Sequence, residues 1–215
     1  VEETELSGGH AVEDRPQRFR AIVNCGKPVM GMTVEIRDEF GGPLPERTIG
    51  KVWTTGPSLM VGYFRDQEST DACMADGWLD TGDMGYLSDG YLYIVGRAKD
   101  MIIINGKNHW PQDIEWAVEQ LPGFKQGDIA AFAITTAGGE EAPAVLVHCR
   151  VSDNVERARL REEIRERVRS ITGMNCVVEL VPPRSLPRTS SGKLSRSKAR
   201  TLYLTGEIVP YDIAA

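Results

Sequence analysis

Residues Gly96–Glu115, GRAKDMIIINGKNHWPQDIE, hold the main break in this chain. A strand-like apolar run, Tyr91–Val95, precedes them, and a second, Met101–Ile104, lies within them. Between the runs stand Arg97-Ala98-Lys99-Asp100, three of them charged. Gly106 then marks a turn, and Pro111 opens a helix with Asp113 and Glu115 in its first turn. Proline suits the first helical position because the N–H it lacks would be unpaired there, and acids offset the positive end of the helix dipole. The order is strand, break, strand, turn, helix. The break is either a solvated turn between strands or a hinge between two rigid bodies. Its four residues alone favour the turn.

Charge balance changes at the same place. Residues 1–95 carry 8 Lys and Arg against 16 Asp and Glu, and residues 96–215 carry 17 against 15. A shift of that size supports a boundary there. At 215 residues the chain allows one large domain or two small ones, and 41% hydrophobic with 26% charged content fits a globular protein. No apolar run approaches the roughly 18 residues of a membrane span. Val1–Glu13 is acidic and lacks the basic-then-apolar start of a signal peptide, and a first residue of Val points to a piece of a longer chain. No basic stripe interleaves with aromatics, so no nucleic-acid partner is expected. Cys25, Cys73, Cys149 and Cys176 form no CxxC pair, which predicts buried, reduced thiols in a cytoplasmic protein. His10, His109 and His148 have no metal-ligand spacing, so no metal site is expected.

Upstream of the break, Val1–Arg18 reads as a polar surface segment, and short strands are expected from Arg20–Val23, Met32–Arg37 and Gly50–Thr54, separated by Gly/Pro turns. Such spacing suggests a small barrel-like unit. A short helix is expected over Gln67–Ala75 behind Asp66, then a turn-rich Asp76–Asp83, then a hairpin joining Met84–Tyr86 to Tyr91–Val95 around Leu87–Gly90. Downstream, Pro111–Leu121 and Val155–Ile171 have helical apolar stripes, Asp128–Thr135, Ala144–Val151 and Asn175–Val181 read as strands, and Ser195–Leu204 as a last helix. The fold class is α+β, a β-rich barrel-like part followed by a compact α/β unit.

Four features could carry chemistry. Asp83 follows Thr81-Gly82 at a tight turn, where a carboxylate can accept bonds from two adjacent hydroxyls; on these residues alone, a turn Asp capping its own backbone is the simpler reading. Arg97 could donate to a ribose or phosphate oxygen, or be a surface arginine. The hairpin would bring Asp83 and Arg97 together, so they inform more as a pair. Lys193 ends Pro187-Arg188-Thr189-Ser190-Ser191-Gly192-Lys193. A phosphate-loop reading fails there, because GxxxxGK[ST] needs Gly at Pro187 and Ser or Thr at Leu194. What remains is a lysine on a flexible loop, able to steady charge on a phosphate elsewhere, or a solvated basic loop. Arg157, Arg161, Arg165 and Arg169 form one helix stripe, read as a solvated, salt-bridged face or as a docking face.

Together the motifs resemble the adenylate-forming enzymes: acyl-CoA synthetases, fatty-acyl-AMP ligases, luciferases and peptide-synthetase adenylation domains. The matching pieces run in family order: Gly62-Tyr63-Phe64, Gly77-Trp78 with Thr81-Gly82-Asp83, Gly96–Asp100, Gly106 with Pro111 and Ile114-Glu115, and Ser191-Gly192-Lys193. The stretch Asn108–Glu115, NHWPQDIE, looks most like fatty-acyl-AMP ligases, since synthetases usually carry another residue at Asn108 and Glu at Asp113.

The resemblance implies that 1–98 ends a large adenylation domain and 99–215 is its mobile C-terminal domain. It implies that Asp83 and Arg97 hold the ribose of ATP or acyl-AMP, that Lys99 is the hinge, and that Lys193 bridges carboxylate and α-phosphate. Gly106 and Asn108 would lie on the loop that meets the thiol acceptor, an acyl carrier protein or synthase carrier domain, with coenzyme A as the alternative. The family's phosphate loop, adenine pocket, Mg2+-binding Glu and acyl tunnel would all lie upstream, so this piece alone would not complete the reaction. Three functions stand open: part of a fatty-acyl-AMP ligase, part of an acyl-CoA synthetase, or a non-catalytic module that docks a carrier protein.

Overall fold

The computed structural model describes residues 9–11, 21–104, 107–136, 138–139 and 141–212. The chain folds as two compact units, Val1–Lys99 and Asp100–Ala215.

The first unit is built on an antiparallel sheet of β1 (Thr33–Arg37), β2 (Gly50–Thr55), β3 (Met74–Ala75), β4 (Trp78–Ser88) and β5 (Tyr91–Arg97). β2 pairs with β1 on one side and β4 on the other. The far edge of β4 is shared: Trp78 and Leu79 pair with β3, and Asp83–Ser88 with β5. One strand with two partners on one edge bends, and the sheet curls into a half-barrel. β4 and β5 are joined by Asp89-Gly90, with φ of 52° and 74°. Two left-handed residues match the right-handed twist of the strands, which is why an Asp-Gly pair closes such hairpins. Glu46 caps this turn, its carboxylate accepting from the backbone N–H of both residues at 2.9 and 3.0 Å. The short helix α1 (Gln67–Cys73) starts at Asp66, whose carboxylate accepts from the Ser69 amide at 2.9 Å.

The second unit opens with a hairpin, β6 (Ile102–Ile104) and β7 (Lys107–His109), followed by α2 (Pro111–Glu119). A three-stranded sheet follows, of β8 (Ile129–Thr135), β9 (Glu141–His148) and β10 (Val177–Val181). β9 lies in the middle, antiparallel to β8 and parallel to β10. Parallel neighbours need a crossover, which α3 (Asn154–Thr172) supplies. Asp153 caps the start of α3 and left-handed Gly173 its end. The helix α4 (Arg196–Leu204) follows the lysine loop. Alternate strand residues face opposite sides, so β8 and β9 feed two cores. Ile129, Ala131, Val145 and Val147 pack with Ile114 and Val118 of α2 and Ile164 and Val168 of α3. Ala130, Phe132, Ala144 and Leu146 pack with Leu186 and with Ala199 of α4.

Several expectations change. Thr81-Gly82-Asp83 is not a turn between elements but an interruption within one long strand. Lys51 pairs with Met84 and Trp53 with Asp80, so the intervening residues of β4 bulge out between them. Gly82, at φ 72°, permits the bulge, and Thr81 Oγ1 stitches it to the sheet by donating to Val52 O at 2.9 Å. Ala21–Val23 forms no strand; the chain reaches the free edge of β5 just beyond it, through a bridge from Asn24 to Tyr93. Arg20, like Val1–Gly8, lies outside the described residues. β9 begins earlier and ends earlier than expected, because Pro143 pairs with Ala133 inside the sheet and His148 closes it. Cys149 is buried as expected, but Cys25 is exposed, since its segment runs along that sheet edge.

Ile114 is fully buried between the α2 turn and the sheet. Ile114→Ala should lower unfolding free energy by about 2–5 kcal/mol, the usual cost of deleting a buried aliphatic side chain and leaving a cavity. Urea denaturation checks this through the midpoint; a shift below the cost of an exposed substitution would contradict the packing.

Candidate functional site

In the first unit, the bulge in β4 and the end of β5 bring Asp83 and Arg97 opposite each other in the sheet register. Arg97 Nε lies 3.0 Å from Asp83 Oδ1, an ion pair whose side chains remain 28% (Asp83) and 54% (Arg97) exposed. The Asp83 amide donates to Thr81 Oγ1 at 3.1 Å, which fixes the carboxylate's backbone. Among the described residues, Asp83 Oδ2 and Arg97 Nη1 and Nη2 have no further partner. That arrangement presents acceptors and donors side by side, the pattern a vicinal diol needs. Strand pairing, not a turn, holds it in place.

In the second unit, Lys193 stands in the returning stem of a small closed loop whose turn is Ser190-Ser191-Gly192. Arg188 and Leu194 form a bridge at its base. Ser195 N donates to Pro187 O at 3.0 Å, Thr189 N to Lys193 O at 2.7 Å, and Lys193 N to Thr189 Oγ1 at 3.1 Å. Arg188 fastens the near stem, donating to Gly127 O and Gly192 O, both at 3.0 Å. The loop expected to be flexible is thus a hydrogen-bonded hairpin with the exposed lysine in its returning stem. Among the described residues no ion-pair partner is found for Lys193 Nζ. It lines a cleft of about 550 Å³ with Gln112, Trp116, Glu119 and Arg196.

Glu115 and Arg196 form the floor of the same cleft. Arg196 donates from Nε and Nη2 to the two carboxylate oxygens of Glu115, both at 2.6 Å, and from Nη1 to Asp100 at 3.4 Å. Glu115 also accepts from the Ala131 amide at 3.0 Å. Burial pushes the Glu115 carboxyl above the ordinary range, and Arg196 and that amide draw it back. Burial also works against charge on Arg196, but Glu115 and Asp100 hold its guanidinium protonated. A forked, always-charged guanidinium at 2.6 Å keeps the carboxylate ionised.

This network revises the reading of surface arginines. Arg196, three residues beyond Lys193, is committed to two acids, Glu115 and Asp100. Arg200 donates to Ala133 O at 2.9 Å. The α3 stripe is not a uniform solvated face either. Arg157 is buried against Tyr211 and chelates Asp212, with Nε to Oδ2 at 2.7 Å, and Arg161 donates to Tyr211 O at 2.6 Å. Arg165 keeps the expected helical pair, with Glu162 at 3.3 Å. Helix period alone flagged only the Arg165 pair. A signal was present for Glu115: it falls four residues after buried Pro111 and beside Ile114, on the apolar face, where an acid requires a cation.

Lys99 sits exposed in a single 3-10 turn, Ala98–Asp100. Asn108 lies in β7, paired with Ile103. Gly106 lies outside the described residues. Among the described residues, no group of three or more His, Cys, Asp or Glu could hold a metal ion, and no helix is long and apolar enough to cross a membrane.

No protein-family model matches the chain. Individual proteins do. It is 47% identical over 192 residues to a Caulobacter vibrioides protein named "Putative acyl-CoA synthetase", covering 88% of this chain and 33% of that one. It is 36% identical over 211 residues to the medium-chain-fatty-acid–acyl-carrier-protein ligase JamA of Moorena producens, covering 93% and 36%. A solved structure from a study of fatty acyl-adenylate ligases from E. coli and L. pneumophila superposes with a TM-score of 0.83 and 45% identity, over 94% of this chain and 36% of that one. By sequence and fold the chain belongs to the adenylate-forming superfamily. It corresponds to the C-terminal part of the fatty-acyl-AMP and acyl-CoA ligases, and spans about a third of the length of the relatives it matches.

His148 anchors the segment that leads to the lysine loop. Its Nε2 accepts the Leu186 N–H at 3.1 Å, and its Nδ1 lies 3.5 Å from Asp128. Burial lowers its pKa from 6.5, outweighing Asp128, with Arg188 and Arg150 acting in the same direction as burial. A depressed folded pKa means that stability is complete above the unfolded value and is lost as pH falls through the folded one. Thermal midpoints should therefore drop on the acid side of about 6.5. His148→Gln should flatten that drop without abolishing it, because His109 is depressed in the same sense, chiefly by burial. An unchanged pH profile in the variant would remove His148 from this role.

Proposed function

We propose that the chain is the C-terminal part of an ATP-dependent fatty-acyl-AMP ligase that activates a fatty acid for transfer to an acyl carrier protein in the cytoplasm. The observation that carries this reading is the joint presence of the Asp83–Arg97 pair and an exposed, loop-borne Lys193 in a chain with these relatives. The acyl-CoA synthetase reading stays as the alternative, favoured by the name of the Caulobacter relative. A non-catalytic docking module has no need of all three residues.

In the first half-reaction, a carboxylate oxygen of the fatty acid attacks the α-phosphorus of ATP. The bond to the bridging oxygen breaks, pyrophosphate leaves with its electron pair, and acyl-AMP forms. Asp83 accepts from the ribose hydroxyls while Arg97 steadies Asp83. Lys193 supplies positive charge where charge gathers on the attacked phosphoryl group and carboxylate. In the second half-reaction, a thiolate attacks the acyl carbon and AMP leaves. The acyl carbon needs no cation at phosphorus, so Lys193 is free to withdraw. Withdrawal is assigned to rotation of 99–215 about Lys99, which brings the loop of Gly106 and Asn108 to the site. The Mg2+ that accompanies ATP has no ligand set among the described residues, and no step here passes through it.

The test uses the longer enzyme that carries this chain, assayed with ATP, a fatty-acid series, and either coenzyme A or a phosphopantetheinylated carrier. Release of acyl-AMP with transfer to the carrier supports the first reading, and free acyl-CoA the alternative. Lys193→Ala should lower acyl-AMP formation by roughly a hundred- to a thousand-fold, the usual loss of one fixed electrostatic contact, and largely spare thioester formation from ready-made acyl-AMP. Equal damage to both halves would reject the role. Lys99→Pro locks one backbone angle and deletes an N–H. If rotation occurs there, one half-reaction should survive and the other fail; parent rates in both would reduce Lys99 to a turn residue.

A further inference from the structure

The cleft beside Lys193 contains a device that the reaction scheme does not use. Arg196 is the first residue of α4, three positions beyond the lysine. Its guanidinium is the meeting point of four elements. It reaches Glu115 on α2 through two bonds of 2.6 Å, Asp100 in the 3-10 turn at 3.4 Å, and β8 through the Ala131 N–H on Glu115. Asp100 is the residue directly after Lys99, so one side chain ties the start of the second unit to the far stem of the lysine loop. The near stem is fastened separately by Arg188, whose bonds go to Gly127 and Gly192. Both stems are therefore fastened, and the exposed lysine stands in the returning stem, paired with Thr189 and directly before the bridge residue Leu194.

A flexible four-carbon side chain positions an ammonium only as well as its backbone is held. Ordinary surface arginines would not do this. A pair with one partner 9% and the other 23% exposed resists solvent and salt, and its forked geometry fixes direction as well as distance. From this, and resting on the assignment of Lys193 above, we infer that Arg196 is a positioning residue for adenylate formation. It holds the lysine loop in fixed register with the segment that follows Lys99, so that the lysine and that segment move as one body. It touches no substrate and acts only through Lys193.

Arg196→Lys keeps a positive charge but cannot span both oxygens of Glu115 and Asp100 together. In the longer enzyme it should lower kcat for acyl-AMP formation by up to about 100-fold, the scale of an ångström-sized misplacement, with KM for ATP and fatty acid little changed. Thioester formation from ready-made acyl-AMP should stay near the parent rate. Glu115→Gln, which removes the anion without leaving a buried charge on α2, should reproduce the pattern and serves if Arg196→Lys does not fold. The deciding measurement is the pair with Lys193→Ala. A residue acting only through the lysine adds no further loss once the lysine is gone. Multiplying losses in the double variant, or equal slowing of both half-reactions, would overturn the positioning role. Lys193→Ala alone separates the two claims: if it damages both halves equally, the reaction assignment fails and the inference falls with it. If it splits them while Arg196→Lys and Glu115→Gln do not, only the inference falls.

Discussion

The second unit depends on a charged pair kept where charge is expensive. Glu115 lies on the buried face of α2, and the fork of Arg196 and the Ala131 amide make that placement tolerable. Removing both charges from water costs several kcal/mol per ion, and their attraction offsets it only with good geometry. The two 2.6 Å bonds provide that geometry. The same requirement determines where α4 can begin, and through α4 where the lysine loop ends. A hydrophobic pair could hold α4 to α2 as firmly, but it would not prescribe direction. The pair also spares the surface a cation: Arg196 is not available to an incoming acidic partner, because its charge is already committed to Glu115 and Asp100.

In the first unit the governing constraint is strand register. β4 is committed to β2 on one side and to β3 and then β5 on the other. The bulge at Thr81–Asp83 relieves the mismatch between these commitments and turns Asp83 toward Arg97. A bulge re-aims a side chain without breaking the strand, which explains how a carboxylate can be both partly exposed and rigidly mounted. The Asp89-Gly90 turn sets how far β5 returns, and so which residue faces Asp83. A site of this kind tolerates little slippage, since one residue of register would put Arg97 on the other face of the sheet.

Much of this was legible in the residues. Pro111 at a helix start, the apolar stripes of α2 and α3, the Asp-Gly hairpin and the charged break at Arg97–Asp100 are local signals, and each corresponds to a described element. The order of short motifs pointed to the adenylate-forming superfamily, and the relatives agree. The meeting of Asp83 with Arg97 was legible too, because a hairpin places its two ends together whatever its surroundings. Local rules fail at Thr81–Asp83, where turn-forming residues suggest a turn while the pairing of three neighbouring strands keeps the chain extended.

Sequence by itself determined most of the elements, the boundary near Lys99 in charge, and the candidate pair and lysine, because these rest on backbone preference, periodicity and short motifs. Tertiary structure alone decided what each arginine does. Arg157, Arg161, Arg188, Arg196 and Arg200 look alike as exposed basic residues along the chain, yet they are bound to Asp212, Tyr211, Gly127, Glu115 and Ala133 respectively. Those partners lie tens of residues away, and a guanidinium's charge acts on whatever folding brings within a few ångströms, which no local pattern encodes.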